Sequence, residues 1–307
     1  MEVTRRKLLQ GMGFLAGAIV LRNLAGPEQA LAAVEDFPGY PDRFGMLTDT
    51  TMCVGCRWCE VACAQANSMP PPAALSDKSV FNKIRRPSAE ALTVVNRYTD
   101  PADTKRTVFR KMQCMHCNEP ACVSACLVGA LEKTKTGNVV YHEDKCIGCR
   151  YCMVACPFGA LGYEYSDALS PAVRKCTMCY QKVIREGGIP ACAQICPTKA
   201  TIFGKRSDLI EVARGRIRSQ PGKYTNLVYG ESEAGGTSWL YLSAVPFDQI
   251  GLPTNLGKTP IPELTRDWLL AVPLVLITWP PLLLGFRSLF RRREQIAEEE
   301  AKNRKVV

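Results

Sequence analysis

Polar and apolar positions divide this chain into stretches of different character. Residues 11–21 are apolar and glycine-bearing, and residues 268–286 run for nineteen positions without a charge. At about 1.5 Å per helical residue the second stretch covers roughly 29 Å, the depth of a bilayer's hydrocarbon; the first is too short to span one. Between them the pattern is that of a mixed body. Residues 46–52 read as a strand. Residues 130–141 alternate in two short pieces around Thr136, Gly137 and Asn138, which predicts a β-hairpin. A matching strand is expected at 200–203, a helix at 207–214 with Ser207 as its cap, and a β-rich piece at 239–243.

The sixteen cysteines change the picture most. Cys53, Cys56, Cys59 and Cys63 follow C-x2-C-x2-C-x3-C, and so do Cys146, Cys149, Cys152 and Cys156. This is the ferredoxin-type run for [4Fe–4S] clusters. Cys114, Cys117, Cys122 and Cys126 stretch the middle gap to x4; Cys176, Cys179, Cys192 and Cys196 stretch it to x12. Each iron of a cubane takes one external thiolate, and closely spaced cysteines can curl so that each sulfur meets a different iron. Structural zinc uses C-x-x-C pairs with a long gap, which two triplet runs do not fit. Disulfides suit small secreted scaffolds, and cysteines this close together are poorly placed to pair. Haem attachment needs C-x-x-C-H, and neither His116 nor His142 follows such a pair.

The expected fold is α+β: two nested bacterial-ferredoxin-like units with insertions, plus one C-terminal transmembrane helix. Groups two and three form the inner unit, about 112–163. Groups one and four form the outer, from 46–64 and 174–204. In two-cluster ferredoxins the fourth cysteine ligates the other cluster. With that crossing the sets are Cys53/Cys56/Cys59/Cys196, Cys176/Cys179/Cys192/Cys63, Cys114/Cys117/Cys122/Cys156 and Cys146/Cys149/Cys152/Cys126. With cysteine at Cys149, all four sites are expected to hold four irons.

Charge is read with the clusters included. The formal net charge of +10 invites an anionic partner, but each oxidised cluster with four thiolates carries about −2, so four add about −8. Nucleic-acid binding is not expected. Thr4, Arg5, Arg6, Lys7, Leu8 and Leu9 look like a twin-arginine export signal, with small residues Ala30 and Ala32 for cleavage. Sixteen bare thiols would oxidise outside the cytoplasm, and the twin-arginine route carries proteins already folded. At the far end Trp268, Phe286 and Phe290 mark the rims of the apolar stretch. Arg287, Arg291, Arg292 and Arg293 favour a cytoplasmic C-terminus. Pro273, Pro280 and Pro281 should kink that helix.

The expected divisions are a signal at 1–32, a linker at 33–45, the cluster module at 46–206, an extension at 207–266, the membrane helix at 267–288 and a charged tail at 289–307. The insertion 64–113, with Lys83, Arg85, Arg86, Arg97, Lys105, Arg106, Arg110 and Lys111, reads first as a solvated loop and more sharply as a docking surface.

Over 46–204 the four groups resemble the iron–sulfur subunits of the dimethyl-sulfoxide-reductase and formate-dehydrogenase β family. The leader, the stretch from Gly235, Gly236 and Thr237 to Leu252 and Pro253, and the tail extend that resemblance. Within the family, 229–237 and 245–253 most resemble ferredoxin-type subunits of membrane-bound uptake [NiFe] hydrogenases of the hydrogenase-2 kind, with formate-dehydrogenase β subunits as the nearest alternative. The resemblance implies an electron relay on the periplasmic face of the inner membrane. Its partners would be hydrogenase small and large subunits and an integral-membrane, quinone-reactive subunit. No catalytic residue, haem, flavin or molybdopterin is expected in this chain. A stand-alone tethered carrier is a further alternative.

Overall fold

The computed structural model describes residues 43–304, apart from 101–102, 104–105 and 168–170. The export signal expected at 1–32, most of the linker, and Lys105 lie outside the described residues. In chain order the elements begin with β1 (Phe44–Asp49), α1 (Trp58–Ala66), β2 (Val94–Thr99), β3 (Thr107–Met112) and α2 (Ala121–Ser124). They continue with β4 (Leu131–Lys133), β5 (Val139–Tyr141), α3 (Tyr151–Ala155), β6 (Gly162–Tyr163), β7 (Val173–Arg174) and α4 (Ala191–Gln194). The last are β8 (Thr201–Lys205), α5 (Arg206–Ser219), β9 (Trp239–Leu242) and α6 (Glu263–Arg304).

β1 is the middle strand of the largest sheet, antiparallel to β8 on one side and parallel to β9 on the other. Side chains alternate across a strand, so Met46 and Leu47 enter different cores. Met46, Trp239 and Tyr241 pack with Cys114, Cys176 and Cys192. Leu47, Leu240 and Leu242 pack with Leu209 and Ala213 of α5. One face of the sheet therefore walls the cysteine body while α5 covers the other. The stretch 207–266, expected as an extension, supplies β9 to this central sheet. Its turn at Gly235 and Gly236 runs beside the second cysteine group: Asn118 N–H donates to Gly236 O (3.0 Å) and Trp239 N–H to Met115 O (3.1 Å).

The hairpin expected at 130–141 is present as β4 and β5, with Leu131 opposite Tyr141 and Lys133 opposite Val139. Its tip docks on the start of β1, where Phe44 N–H donates to Thr136 O (2.8 Å). Gly137 is required there: φ is +97°, and a Cβ would stand 2.8 Å from Phe44 O. The cap of α5 stands two residues before Ser207, the position expected for it. Lys205 holds the cap position, and the Ser207 hydroxyl turns to Asp208 Oδ1 (2.9 Å). Arg206 enters the first turn because its guanidinium is used elsewhere, donating to Thr237 O (2.7 Å), Gly230 O (3.1 Å) and Glu231 O (2.8 Å).

The solvated-loop reading of 64–113 is corrected for 94–112, whereas 65–80 are exposed or half-exposed. Val94 to Met112 and Thr99 to Thr107 delimit the paired stretch of the β2–β3 hairpin, and Val94, Val95, Asn96, Arg110 and Lys111 are buried. The insertion is fastened by Glu60 of α1. Its carboxylate accepts from Arg57 Nε (3.2 Å), Arg85 Nη2 (2.5 Å) and Val95 N–H (2.6 Å). Arg57 in turn donates to the carbonyls of Ala73, Ala74 and Asp77.

α6 runs unbroken through Pro273, Pro280 and Pro281. Its stretch Glu263–Glu298, which contains an eighteen-residue window of mean hydropathy 2.1, is the one helix among the described residues long and apolar enough to cross a membrane. A proline lacks the N–H that would bond four residues back, which leaves the carbonyls of Leu269, Leu276 and Ile277 without their helical donors. Thr278 Oγ1 donates to Leu274 O (2.8 Å).

Candidate metal centres

None of the sixteen cysteines is in a disulfide. Each group bends its chain in the same way. The residue two after the first cysteine takes a left-handed conformation in all four: Gly55 (φ 67°), His116 (49°), Gly148 (68°) and Met178 (57°). That turn brings its amide onto the first sulfur. His116 N–H donates to Cys114 Sγ (3.4 Å), Gly148 N–H to Cys146 Sγ (3.4 Å) and Met178 N–H to Cys176 Sγ (3.3 Å). The Gly55 amide does the same for Cys53. Glycine signals this turn in groups one and three. Histidine and methionine hide it in the other two, so the sequence reading passed over His116 and Met178. The helices then pair across groups, α1 against α4 and α2 against α3.

The thiols' neighbours also cross between groups. Burial pushes Cys53 up to about 11, and its thiol neighbours are Cys196 and Cys56. Burial pushes Cys63 up to about 12, beside Cys192 and Cys179. Cys117 is raised well above a free thiol by burial, and beside it lie Cys114, Cys122 and Cys156. Cys152, raised by burial to about 11, faces Cys126, Cys146 and Cys149. Cys53, Cys56, Cys59 and Cys196 line one small cavity together with Gly55, Trp58 and Lys111. Among the described residues no three or more His, Cys, Asp or Glu side chains close around a single-ion position. A cubane makes a different demand, one thiolate at each of four separate corners. Buried thiols that resist ionisation give up their protons when metal binds, so assembly and proton release are coupled.

Two other side chains fit such a cofactor. His116 is fully buried, and its Nδ1 accepts from Val139 N–H (2.9 Å). This assigns the ring proton to Nε2. Burial, then Lys175, Lys133 and Lys111, hold its pKa well below the usual histidine value. The Nε2–H is buried without an acceptor among the described residues, which leaves a donor free for a group the site would hold. Lys111, at 2 % exposure, is the second. Burial pulls its pKa down, but the thiolates of Cys192, Cys59, Cys176 and Cys63 outweigh that and hold it above the ordinary lysine value.

The third group is the most open. Cys149 is exposed, as are Ile147, Tyr151 and Val154 in the same group and Leu127 next to Cys126. The first group has its own exposed apolar collar of Val54 and Trp58, with Ile195 from group four.

Models of the 4Fe-4S dicluster domain match this chain at residues 52–130 and again at 106–206. A protein of Nitratidesulfovibrio vulgaris Hildenborough is 48 % identical over 297 residues, 96 % of this chain and 79 % of that one. The Hydrogenase-2 operon protein HybA of Escherichia coli O157:H7 is 36 % identical over 258 residues, 74 % of this chain and 78 % of that one. The formate dehydrogenase-O iron-sulfur subunit of Escherichia coli K12 is 31 % identical over 259 residues, 82 % and 81 % of the two chains. Four cysteine groups, bent alike and matched by these models and relatives, make this chain a member of the ferredoxin-type family of iron–sulfur electron-transfer subunits to which HybA and the formate dehydrogenase iron–sulfur subunits belong.

Proposed function

We propose that the chain relays electrons through four [4Fe–4S] clusters between a periplasmic catalytic subunit and a quinone-reactive membrane subunit. What supports this is the crossing of thiol neighbours between groups: Cys53 lies beside Cys196, Cys63 beside Cys192 and Cys179, Cys117 beside Cys156 and Cys152 beside Cys126. The ligand sets are those expected from the spacing, Cys53/Cys56/Cys59/Cys196, Cys176/Cys179/Cys192/Cys63, Cys114/Cys117/Cys122/Cys156 and Cys146/Cys149/Cys152/Cys126. They form two nested ferredoxin-like units. Bound there, the clusters supply reversible one-electron storage; the chain spaces them, donates amides to their sulfurs and excludes water.

The exposed apolar side chains of Ile147, Val154 and Leu127, and of Val54 and Trp58, support contacts with partners. The apolar α6 supports a membrane anchor. Export by the twin-arginine route and a cytoplasmic C-terminus complete the reading. A [NiFe] hydrogenase is the favoured catalytic partner, since HybA is named for a hydrogenase operon. The second reading is a formate dehydrogenase, favoured by the breadth of the match to that relative.

Two measurements test this. The purified protein should hold about sixteen irons and sixteen acid-labile sulfides; eight irons, or stoichiometric zinc, refute the four-cluster reading. Mild detergent extraction followed by co-purification then separates the partners. Hydrogenase small and large subunits support the first reading and a molybdopterin-binding chain the second. A chain that comes alone is a tethered carrier.

A further inference from the structure

We propose that Lys111 is a fixed positive charge set between the two outer clusters, and that it raises the reduction potential of both. The inference rests on the four-cluster reading. Lys111 lies on β3, inside an insertion that contributes no cysteine. It lines the cavity of Cys53, Cys56, Cys59 and Cys196. It also neighbours Cys63, Cys176 and Cys192 of the second outer set.

A buried ammonium is costly unless something compensates its charge. Among the described residues no carboxylate pairs with Lys111. Its Nζ donates to the neutral Gln113 Oε1 (3.2 Å) and sits 4.4 Å from the centre of the Trp239 ring. These contacts hold it in place without neutralising it. Its counter-charge is therefore the sulfur of both sets. One-electron reduction takes a cluster with its thiolates from about −2 to about −3. A fixed cation nearby stabilises the more negative state more, and low dielectric strengthens the effect. In the inner sets Lys175 is a neighbour of Cys122.

The test is a potentiometric titration followed by electron paramagnetic resonance on the full-length, detergent-solubilised holoprotein. Cys149→Ser marks the signals of the inner pair. Lys111→Met is expected to keep about sixteen irons and to lower the potentials of the two outer clusters. The expected change in reduced-to-oxidised ratio at fixed potential is at least tenfold, about 59 mV for a one-electron couple. The inner pair should not move. Gln113→Glu gives the same test without removing the lysine: its carboxylate would neutralise the ammonium and lower the same two potentials. Full iron with unmoved outer potentials in either variant overturns the proposal. So does loss of the outer clusters from both variants, which would make the role purely structural. A native protein without four cubanes would instead refute the four-cluster reading itself.

Discussion

Replacing Glu60 by glutamine removes one charge and almost no volume from the knot that fastens the insertion to the first cluster helix. The carboxylate is 4 % exposed. It faces Arg57, whose side chain is 0 % exposed, and Arg85, at 20 %. Breaking a buried ion pair by removing one partner costs about 3–5 kcal/mol, because the other charge stays buried without compensation. Partial exposure of Arg85 puts the expected loss near the lower figure. Glu132 is the control: its contact with His142 Nε2 (3.0 Å) is on the surface, and such pairs are worth about 0–1 kcal/mol. Cluster proteins seldom unfold reversibly, so the assay is a rate: bleaching of the cluster absorbance by a strong chelator at fixed temperature. If the knot is intact until the barrier is crossed, about 3 kcal/mol speeds bleaching about a hundredfold. Glu60→Gln should also open 64–113 to protease, and Glu132→Gln should do neither. Bleaching of Glu60→Gln within threefold of the native rate, and equal to that of Glu132→Gln, refutes the claim that this carboxylate locks the insertion.

Four further outcomes are expected. Gly55→Ala should lose iron from one outer cluster, because φ is +67° and the new Cβ would stand 2.5 Å from the Phe109 ring; overpacking of that kind costs about 1–3 kcal/mol. Gly129→Ala has φ +64° but nothing within 4 Å, and should keep full iron when its content is measured alongside. Arg5→Lys with Arg6→Lys should hold a folded, cluster-bearing precursor in the cytoplasm, read by fractionation and iron content; unchanged export would point to another route. Exchanging 268–286 for a poly-leucine span should keep the chain membrane-bound yet abolish quinone reduction by the complex, since the carbonyls freed at the prolines call for a neighbouring helix. Restored quinone reduction would reduce the segment to a tether.

The most legible features were those written in local spacing. The cysteine groups, the 130–141 hairpin and the apolar tail each depend on residues a few positions apart, and the geometry of a turn or a strand follows from such neighbours. What stayed hidden depends on distant partners. Nothing near Lys111 announces that thiols from three other segments surround it, so its charge reads as solvated. The insertion looks loose until Glu60 and Val95, thirty-five positions apart, are placed side by side. Ser207 has the right chemistry for a cap, but Arg206 is drawn into the helix by carbonyls of the 230–237 turn. Local propensity lost there to a long-range hydrogen-bond network.

The repeat itself shows how one loop can serve different ends. Cys-x-Gly-Cys-Arg occurs twice, and Arg57 (φ 65°) and Arg150 (φ 60°) adopt the same left-handed backbone. Their surroundings differ. Arg57 is 1 % exposed beneath the insertion and donates to Glu60 and three carbonyls. Arg150 lies over the Tyr163 ring, 5.1 Å from its centre, next to the exposed Cys149. Amide donation to the first sulfur is common to all four groups, so it cannot by itself set the clusters apart. Cluster potentials respond to net charge and solvent exposure as well as to hydrogen bonds. Those are the variables in which the covered outer sites, with Lys111 buried beside them, differ from the open third group. On the four-cluster reading and the role proposed for Lys111, the covering segments, more than the cysteine loops, decide where along the chain an electron rests most stably.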